Sequence, residues 1–319
     1  SRTLGYTCDE GYYFHAAELH WGYLEDAFEG SRHGHPLAFA DRAVIDRGFS
    51  YNNEHPPLMK TLFGLSWRVL HRCDCPNEGG MHARPSPQRH RTLGLLSQGQ
   101  AMRLPAHLLC GLLCAAVYLF AARAFSRRAA LCAAALTVLA PRHFFHAQLS
   151  CFDAPIAAMI TLTTLAYHQA QVSGKRGWLA TAAVLAGLSL STKHNAFFLP
   201  FVLLLHSLYL RRHLLRDTER GRLRAALRWL FAPWIWAFAL LSLPVYLLSW
   251  PWLWHDTARR FGSYVAFHLH HVHYNIEYLG VNYNKPPFPW HYVRVTTALA
   301  LRVVPRGRAL LGLLGLRRL

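Results

Sequence analysis

Long apolar stretches separated by short arginine-rich runs are the feature that most constrains the fold of this chain. A bilayer core takes about 20 apolar residues per helix. Stretches near that length lie at 101–123, 129–148, 154–172, 177–191, 196–210 and 229–250, and another begins near 290. Only 16% of the residues are charged, well below the share in typical soluble domains. We therefore predict an all-α polytopic membrane protein.

The positive charge is concentrated between the apolar stretches. A net charge of +18 alone suggests a nucleic-acid-binding protein. The basic residues, however, gather in the runs 123–128, 173–177 and 211–228. Cytoplasmic loops of membrane proteins carry such an excess, and alternating spans put all three runs on one side of the membrane. We therefore predict the lipid bilayer, and no nucleic acid, as a partner.

This topology divides the chain into four parts. Residues 1–100 are predicted to form a first extracytoplasmic loop with short interfacial helices, one of them at 58–70. Residues 101–250 would form the transmembrane bundle, and 251–289 an extracytoplasmic loop rich in His and aromatic residues. Residues 290–319 would begin further membrane helices, because the chain reads as a fragment truncated at both ends.

Several acidic residues lie on the predicted outer side. Asp9 and Glu10 are adjacent in "TCDEGYYF", and Asp153 precedes a candidate span. Asp153 is also a good N-cap residue ahead of Pro155, and the two interpretations are compatible. In "NNEHPPLMK" the prolines can hold Glu54 and His55 in fixed directions, although a plain rigid loop explains the motif equally well.

Basic residues at outer helix ends are less expected than on the cytoplasmic side. Arg103, Arg142 and Lys193 occupy such positions. Charges at membrane depth usually face a cavity or a partner, and an anionic ligand such as a phosphate would satisfy them. Snorkelling to lipid headgroups is the alternative for any single residue. Three such residues beside carboxylates favour a binding site.

Metal and disulfide chemistry stay open. The loop 251–289 contains four closely spaced histidines: His268, His270, His271 and His273. Their imidazoles could bind a metal ion. We prefer the interpretation that the segment is an interfacial helix rich in histidine and aromatic residues. One disulfide is conceivable on an oxidising side among Cys8, Cys73, Cys75 and Cys151. The sequence has no glycine-rich phosphate loop, no HExxH and no GxSxG motif, which argues against nucleotide-dependent, metalloprotease and serine-hydrolase functions.

An ordered set of motifs resembles a known family. The motifs are "TCDEGYYFHAAELHWGY", "NNEHPPLMK", "GQAMRLPA", "PRHFFHAQLSCFDAP", "GLSLSTKHN" and "WPWLWHDT" followed by "KPPFPW". They resemble the protein O-mannosyltransferase-like membrane glycosyltransferases of glycosyltransferase family 39, which are related to the aminoarabinose lipid A transferases. The resemblance implies a GT-C-type helical bundle in a bacterial inner membrane. It also implies transfer of a sugar from a polyprenyl-phosphate donor to a protein or glycolipid acceptor on the periplasmic side.

The resemblance also assigns roles to residues. An acidic residue of the first outer loop activates the acceptor, which matches Asp9 and Glu10, and a second carboxylate matches Asp153. Our hypothesis is an inverting displacement in which Asp9 is the base. Donor phosphate would be bound by His55, Arg103 and Lys193. Residues that would bind or orient substrate are Glu54, Arg142 and His143. Some relatives carry a divalent metal ion and others need none, so no cofactor is assigned. The alternative function is a non-catalytic transporter or flippase of a lipid-linked sugar.

Overall fold

The computed structural model describes residues 5–72, 92–210, 235–236, 238–270 and 275–300, and these are mainly helical. The first helices are α1 (Cys8–Arg32), α2 (Arg42–Gly48) and α3 (Leu58–Leu70). They are followed by α4 (Gln98–Ala124), α5 (Arg127–Leu139), α6 (Pro141–Ala147), α7 (Asp153–Ser173), α8 (Arg176–Leu190) and α9 (Leu199–Leu210). The last are α10 (Leu243–Ser249), α11 (Thr257–Leu269) and α12 (Tyr292–Ala300). The basic run 211–228 lies outside the described residues, as does most of 290–319.

The first hundred residues are more helical than we predicted. The expected interfacial helix at 58–70 coincides with α3, but α1 is a 25-residue helix that the polar sequence did not indicate. α1 packs against α3, and the two backbones approach so closely that a Cβ atom at Gly64 would collide with the carbonyl oxygen of Ala17. A glycine is needed there because nothing larger fits between the two helices.

One described helix is long and apolar enough to cross a bilayer by itself, namely α4. Three other segments within the described ranges are apolar but shorter: 176–190, 194–210 and 240–249. α4 packs against α5 and α7, and α7 packs against α8. Small residues let these helices approach, since Ala182, Ala183 and Ala186 of α8 are buried in the core shared with α7 and α9.

The span predicted at 129–148 is not one helix, which corrects the sequence interpretation. The chain breaks at Ala140, whose backbone is extended, and α6 then starts at Pro141. Proline lacks the N–H that a continuous helix would use, and it disfavours helical backbone at the residue before it. α6 therefore begins at Pro141 and leads to the turn that precedes α7.

The protein is not all-α, because the loop 251–289 contains a small antiparallel hairpin. β1 (Ile276–Tyr278) pairs with β2 (Val281–Tyr283), with Tyr278 opposite Val281. Leu279 and Gly280 form the two-residue turn and both have positive φ, the geometry of tight hairpins. The same loop forms α11, which packs back on the bundle.

The largest hydrophobic cluster joins the outer helices to the bundle. It contains Tyr23 and Phe49 from the first part of the chain, Ile156 of α7, and Trp250 and Tyr264 from the later part. Trp250 is fully buried. This packing fixes α11 and the second half of α1 relative to the start of α7 and the end of α8, near which the candidate site lies.

Candidate active site

Glu10 is the most completely paired acidic residue of the predicted site. Its carboxylate is fully buried and accepts two 2.7 Å hydrogen bonds from the guanidinium of Arg103. It also accepts backbone hydrogen bonds from Ser150 at 2.9 Å and from Thr7 at 3.0 Å. Burial would raise the pKa of Glu10, but the hydrogen bonds from Arg103, Ser150 and Thr7 outweigh it, so the pKa is below its ordinary value. Glu10 thus ties the start of α1 to α4 and to the turn before α7.

Arg103 is not open to a ligand in this geometry. Its side chain is 2% exposed, and its Nη2 donates to the carbonyl oxygen of Gly5 at 2.8 Å as well as to Glu10. Its guanidinium also lies 5.2 Å from the ring centroid of Tyr6. The sequence hypothesis made Arg103 a phosphate ligand, whereas the structure gives it the geometry of a residue that positions Glu10.

Asp9 differs from Glu10 in its exposure and in its contacts. It is exposed, and within the described ranges its carboxylate makes no hydrogen bond and no ion pair. Both residues lie in the first turn of α1, where the helix dipole favours negative charge. The two adjacent carboxylates therefore face different surroundings, since Glu10 is buried in the protein and Asp9 is exposed to solvent.

Asp153 lies at the start of α7 and is not the N-cap residue of that helix. The N-cap of α7 is Phe152, and Asp153 is the first helical residue, which corrects the sequence interpretation. Its half-exposed carboxylate forms a 2.5 Å ion pair with the Nζ atom of Lys193, and the Nδ1 atom of His146 lies 3.8 Å away. The start of α7 is thereby joined to the turn after α8.

Tyr13 of α1 contacts Phe152, the residue before Asp153, and also approaches His55. Its ring centroid is 4.1 Å from that of Phe152 and 6.2 Å from that of His55. Burial raises the pKa of Tyr13 well above its ordinary value, and nearby acidic groups raise it further. Those groups are Asp9, Cys151, Asp153 and Glu54. These groups come from separate motifs of the sequence, and each of them acts electrostatically on the Tyr13 phenol.

His55 is held on the same side by a buried lysine. Lys60 of α3 is fully buried, and its ammonium donates to the carbonyl oxygens of Asn52 and His55, the latter at 2.9 Å. Asn52 in turn donates to the carboxylate of Glu54 at 3.0 Å. Burial lowers the pKa of His55 to about 3, and the neighbouring cationic groups contribute. His55 is therefore a neutral imidazole at physiological pH.

α11 and the turn after α8 each add a histidine that the sequence did not connect to this site. His268 lies with its ring centroid 6.1 Å from that of His55 and 4.3 Å from that of His194. Phe267 also approaches His55, at 6.2 Å. The motif 268–273 is predicted to form an interfacial helix or a metal site; His268 lies on α11, which ends at Leu269. No sequence spacing could pair His268 with residues so distant along the chain.

A metal site finds no support in the described part of the chain, where no group of three or more His, Cys, Asp or Glu side chains is suited to hold one. His271 and His273 lie outside the described residues. Cys8 and Cys151 are free, and Cys73 and Cys75 are outside the described ranges, so the predicted disulfide is not seen among the residues described.

Arg142 and His143 contribute less to the assembled site. Both lie on α6, and Arg142 is exposed and makes no ion pair within the described ranges. His143 is partly buried, and its Nε2 atom has no hydrogen-bond partner among the described residues. The residue of α6 that reaches Asp153 is His146, which the sequence analysis did not single out. Among the described residues, neither Arg142 nor His143 forms a hydrogen bond or an ion pair with the other residues predicted for the site.

The comparisons with known proteins agree with the motifs. Residues 47–256, more than half of the 319-residue chain, match the model of the dolichyl-phosphate-mannose-protein mannosyltransferase family. The match includes the "NNEHPPLMK" loop, Arg103, Asp153 and Lys193, and it begins after Asp9 and Glu10. Neither a curated protein nor a solved structure matches the chain. The family match confirms the resemblance: the chain belongs to the dolichyl-phosphate-mannose-protein mannosyltransferases, a family of membrane glycosyltransferases that use polyprenyl-phosphate sugar donors.

Proposed function

We propose that this protein transfers a sugar from a polyprenyl-phosphate donor to an extracytoplasmic acceptor by an inverting displacement. Asp9 takes the proton from the acceptor hydroxyl or amine as that atom attacks the anomeric carbon. The observation that carries this assignment is the contrast between Asp9 and Glu10. Asp9 is exposed and has no partner within the described residues, whereas Glu10 is buried and held by Arg103. A base must reach its substrate, and of the two carboxylates only Asp9 can.

The leaving phosphate would be stabilised on the opposite wall. Lys193 supplies a positive charge, and its side chain is still 21% exposed although it pairs with Asp153. A neutral His55 keeps an N–H that can donate to a phosphate oxygen. His268 lies next to His55, and His194 lies next to His268, so further imidazole groups adjoin this region. Preorganised donors of this kind stabilise charge that develops in a transition state.

Asp153 would hold Lys193 in place until the donor arrives. A phosphate that enters the site would compete with Asp153 for the ammonium, so the ion pair would loosen as the donor binds. Glu54 would orient the sugar or acceptor from the loop that Lys60 fixes. Arg103 would act through Glu10, by keeping the start of α1 and hence Asp9 in position.

The site would lie at the extracytoplasmic surface of a multi-pass GT-C-type bundle in a bacterial inner membrane. Support comes from α4, which is long and apolar enough to span, and from the basic runs that follow α4 and α7 at the end opposite Asp153. A lipid-linked donor needs this arrangement, because its phosphate stays at the membrane surface while its chain lies among the helices.

The direct test is sugar transfer by this chain, purified in nanodiscs, with polyprenyl-phosphate mannose and a hydroxyl-containing acceptor peptide. Asp9→Asn should lower kcat by about 10²–10⁴-fold, the usual contribution of a positioned base. Asp26→Asn is a matched control on the same helix, about 25 Å away along α1, and should leave kcat unchanged.

Near-normal turnover by Asp9→Asn would refute its role as the base. If the wild-type protein moves the lipid-linked sugar across the bilayer without releasing polyprenyl phosphate, the transporter alternative would hold instead.

A further inference from the structure

Tyr13 is placed where a substrate would contact both walls of the site. It follows Asp9 by four residues on α1, so the two side chains share one helix face. Its ring lies against Phe152 at 4.1 Å, and Phe152 immediately precedes Asp153. The ring is therefore held between the proposed base and the Asp153 wall.

The hydroxyl group of Tyr13 is available to a ligand. Within the described ranges it makes no hydrogen bond, yet it is not sealed away from solvent as the partnerless hydroxyls of Tyr246 and Tyr264 are. It consequently keeps contact with the solvent of the site. Burial and the surrounding acidic groups hold its pKa above the ordinary value, so the phenol stays protonated and can donate.

The surroundings of this hydroxyl indicate what it would bind. The neighbouring carboxylates of Asp9, Asp153 and Glu54 can only accept hydrogen bonds when ionised. A sugar oxygen needs donors as well as acceptors, and a neutral sugar does not suffer the repulsion that these carboxylates would exert on an anion. The protonated phenol of Tyr13 can supply a donor to a sugar bound beside these carboxylates.

We propose that the hydroxyl of Tyr13 donates a hydrogen bond to an oxygen of the transferred sugar, which makes Tyr13 a specificity-determining residue. The inference rests on the proposed function. It assigns the sugar to the space between Asp9 and Asp153, and it assigns the phosphate to Lys193 and the histidines beyond.

The test compares Tyr13→Phe with the wild-type protein on polyprenyl-phosphate mannose and on a series of monodeoxy donors. Tyr13→Phe removes only the hydroxyl and keeps the ring against Phe152. We expect kcat/KM for the parent donor to fall about threefold to tenfold, as for the loss of one neutral hydrogen bond. One deoxy donor should lose a similar factor with the wild-type protein but nothing further with Tyr13→Phe, because the two changes remove the same bond.

Tyr12→Phe is the matched control, since Tyr12 is the adjacent residue, is 40% exposed and stacks on Tyr51. It should keep wild-type kcat/KM. Tyr13→Phe should also keep the wild-type melting temperature, because its hydroxyl has no partner in the described structure. If the wild-type protein uses every monodeoxy donor as well as the parent donor, no sugar oxygen is bound and the inference is overturned, whether or not Tyr13→Phe folds.

The possible failures are distinguishable. If the wild-type protein transfers no sugar, the proposed function is wrong. If it does, and Tyr13→Phe is as active as the wild type, or every deoxy donor loses the same factor with both proteins, the hydroxyl does not bind the sugar and the inference is overturned.

Discussion

The buried ion pair between Glu10 and Arg103 gives the sharpest prediction about stability. Arg103→Met leaves the Glu10 carboxylate fully buried with two backbone N–H donors and no counter-charge. Breaking a buried pair by removing one partner costs about 3–5 kcal/mol. At about 2 °C per kcal/mol for a chain of this size, the melting temperature should fall by about 6–10 °C.

The pH dependence gives the prediction a sign. In the wild-type protein the pKa of Glu10 is lowered, so its contribution to stability is present above its ordinary pKa and is lost as pH falls through the lowered value. Without Arg103 burial dominates and the pKa rises above the ordinary value. In Arg103→Met the contribution of Glu10 to stability should then decrease as pH rises from the ordinary pKa of a glutamate to the raised pKa of Glu10. In the wild-type protein the same contribution increases with pH.

The assay is thermal unfolding in nanodiscs, followed by intrinsic fluorescence between pH 4 and pH 8. Arg47→Met is the matched control, because Arg47 pairs with Asp26 at 3.0 Å but both side chains are exposed. Exposed pairs contribute at most about 1 kcal/mol. Glu10→Leu combined with Arg103→Met removes both charges and should recover most of the lost stability.

An Arg103→Met protein that melts no lower than Arg47→Met would refute this reasoning. So would an unchanged pH slope. Either result would mean that the carboxylate finds water or another cation once Arg103 is gone, and that Arg103 does not position the start of α1.

Three further predictions concern single residues of the outer helices. Burial lowers the pKa of Lys60 to about 7, so the stability of the protein should rise with pH between about 7 and 10.5. Lys60→Met should abolish this pH dependence in thermal unfolding, and an unchanged pH dependence would contradict the prediction. Burial raises the pKa of Glu18 to about 7, so stability should fall as pH rises from about 4.5 to 7. Glu18→Gln should therefore raise the melting temperature at pH 8, and a lower one would argue against the shift. Gly64→Ala should lower the melting temperature by pushing α1 and α3 apart, whereas Gly11→Ala, with open space around it, should not.

The site residues themselves stay a prediction. Asp9, Asp153, His55 and Lys193 come from separate motifs, and the alternation of apolar stretches and basic runs predicts that all four lie on the same side of a membrane. Topology does not say which of two adjacent carboxylates faces inward. That depends on where Arg103 and the Ser150 backbone lie, and both are distant from Glu10 along the chain.

The fold was predictable where it depends on local composition. The bounds of α4, α7 and α8 follow the apolar stretches within a few residues, and α3 matches its predicted range. α1 was missed, because its stability comes from packing against α3 and α4 and its sequence is polar. The hairpin at 276–283 was missed since three-residue strands give too short an alternation to recognise.

The contact between His55 and His268 has a consequence for how the protein is made. His55 belongs to the first part of the chain to leave the ribosome, and His268 is carried by α11, which follows almost all the described bundle helices. Glu10 and Arg103 can therefore pair early, whereas the contact of His55 with His268 forms only after α11 has been synthesised and has folded back. The order of synthesis therefore lets the Glu10–Arg103 pair form before the contact that closes the other side of the candidate site.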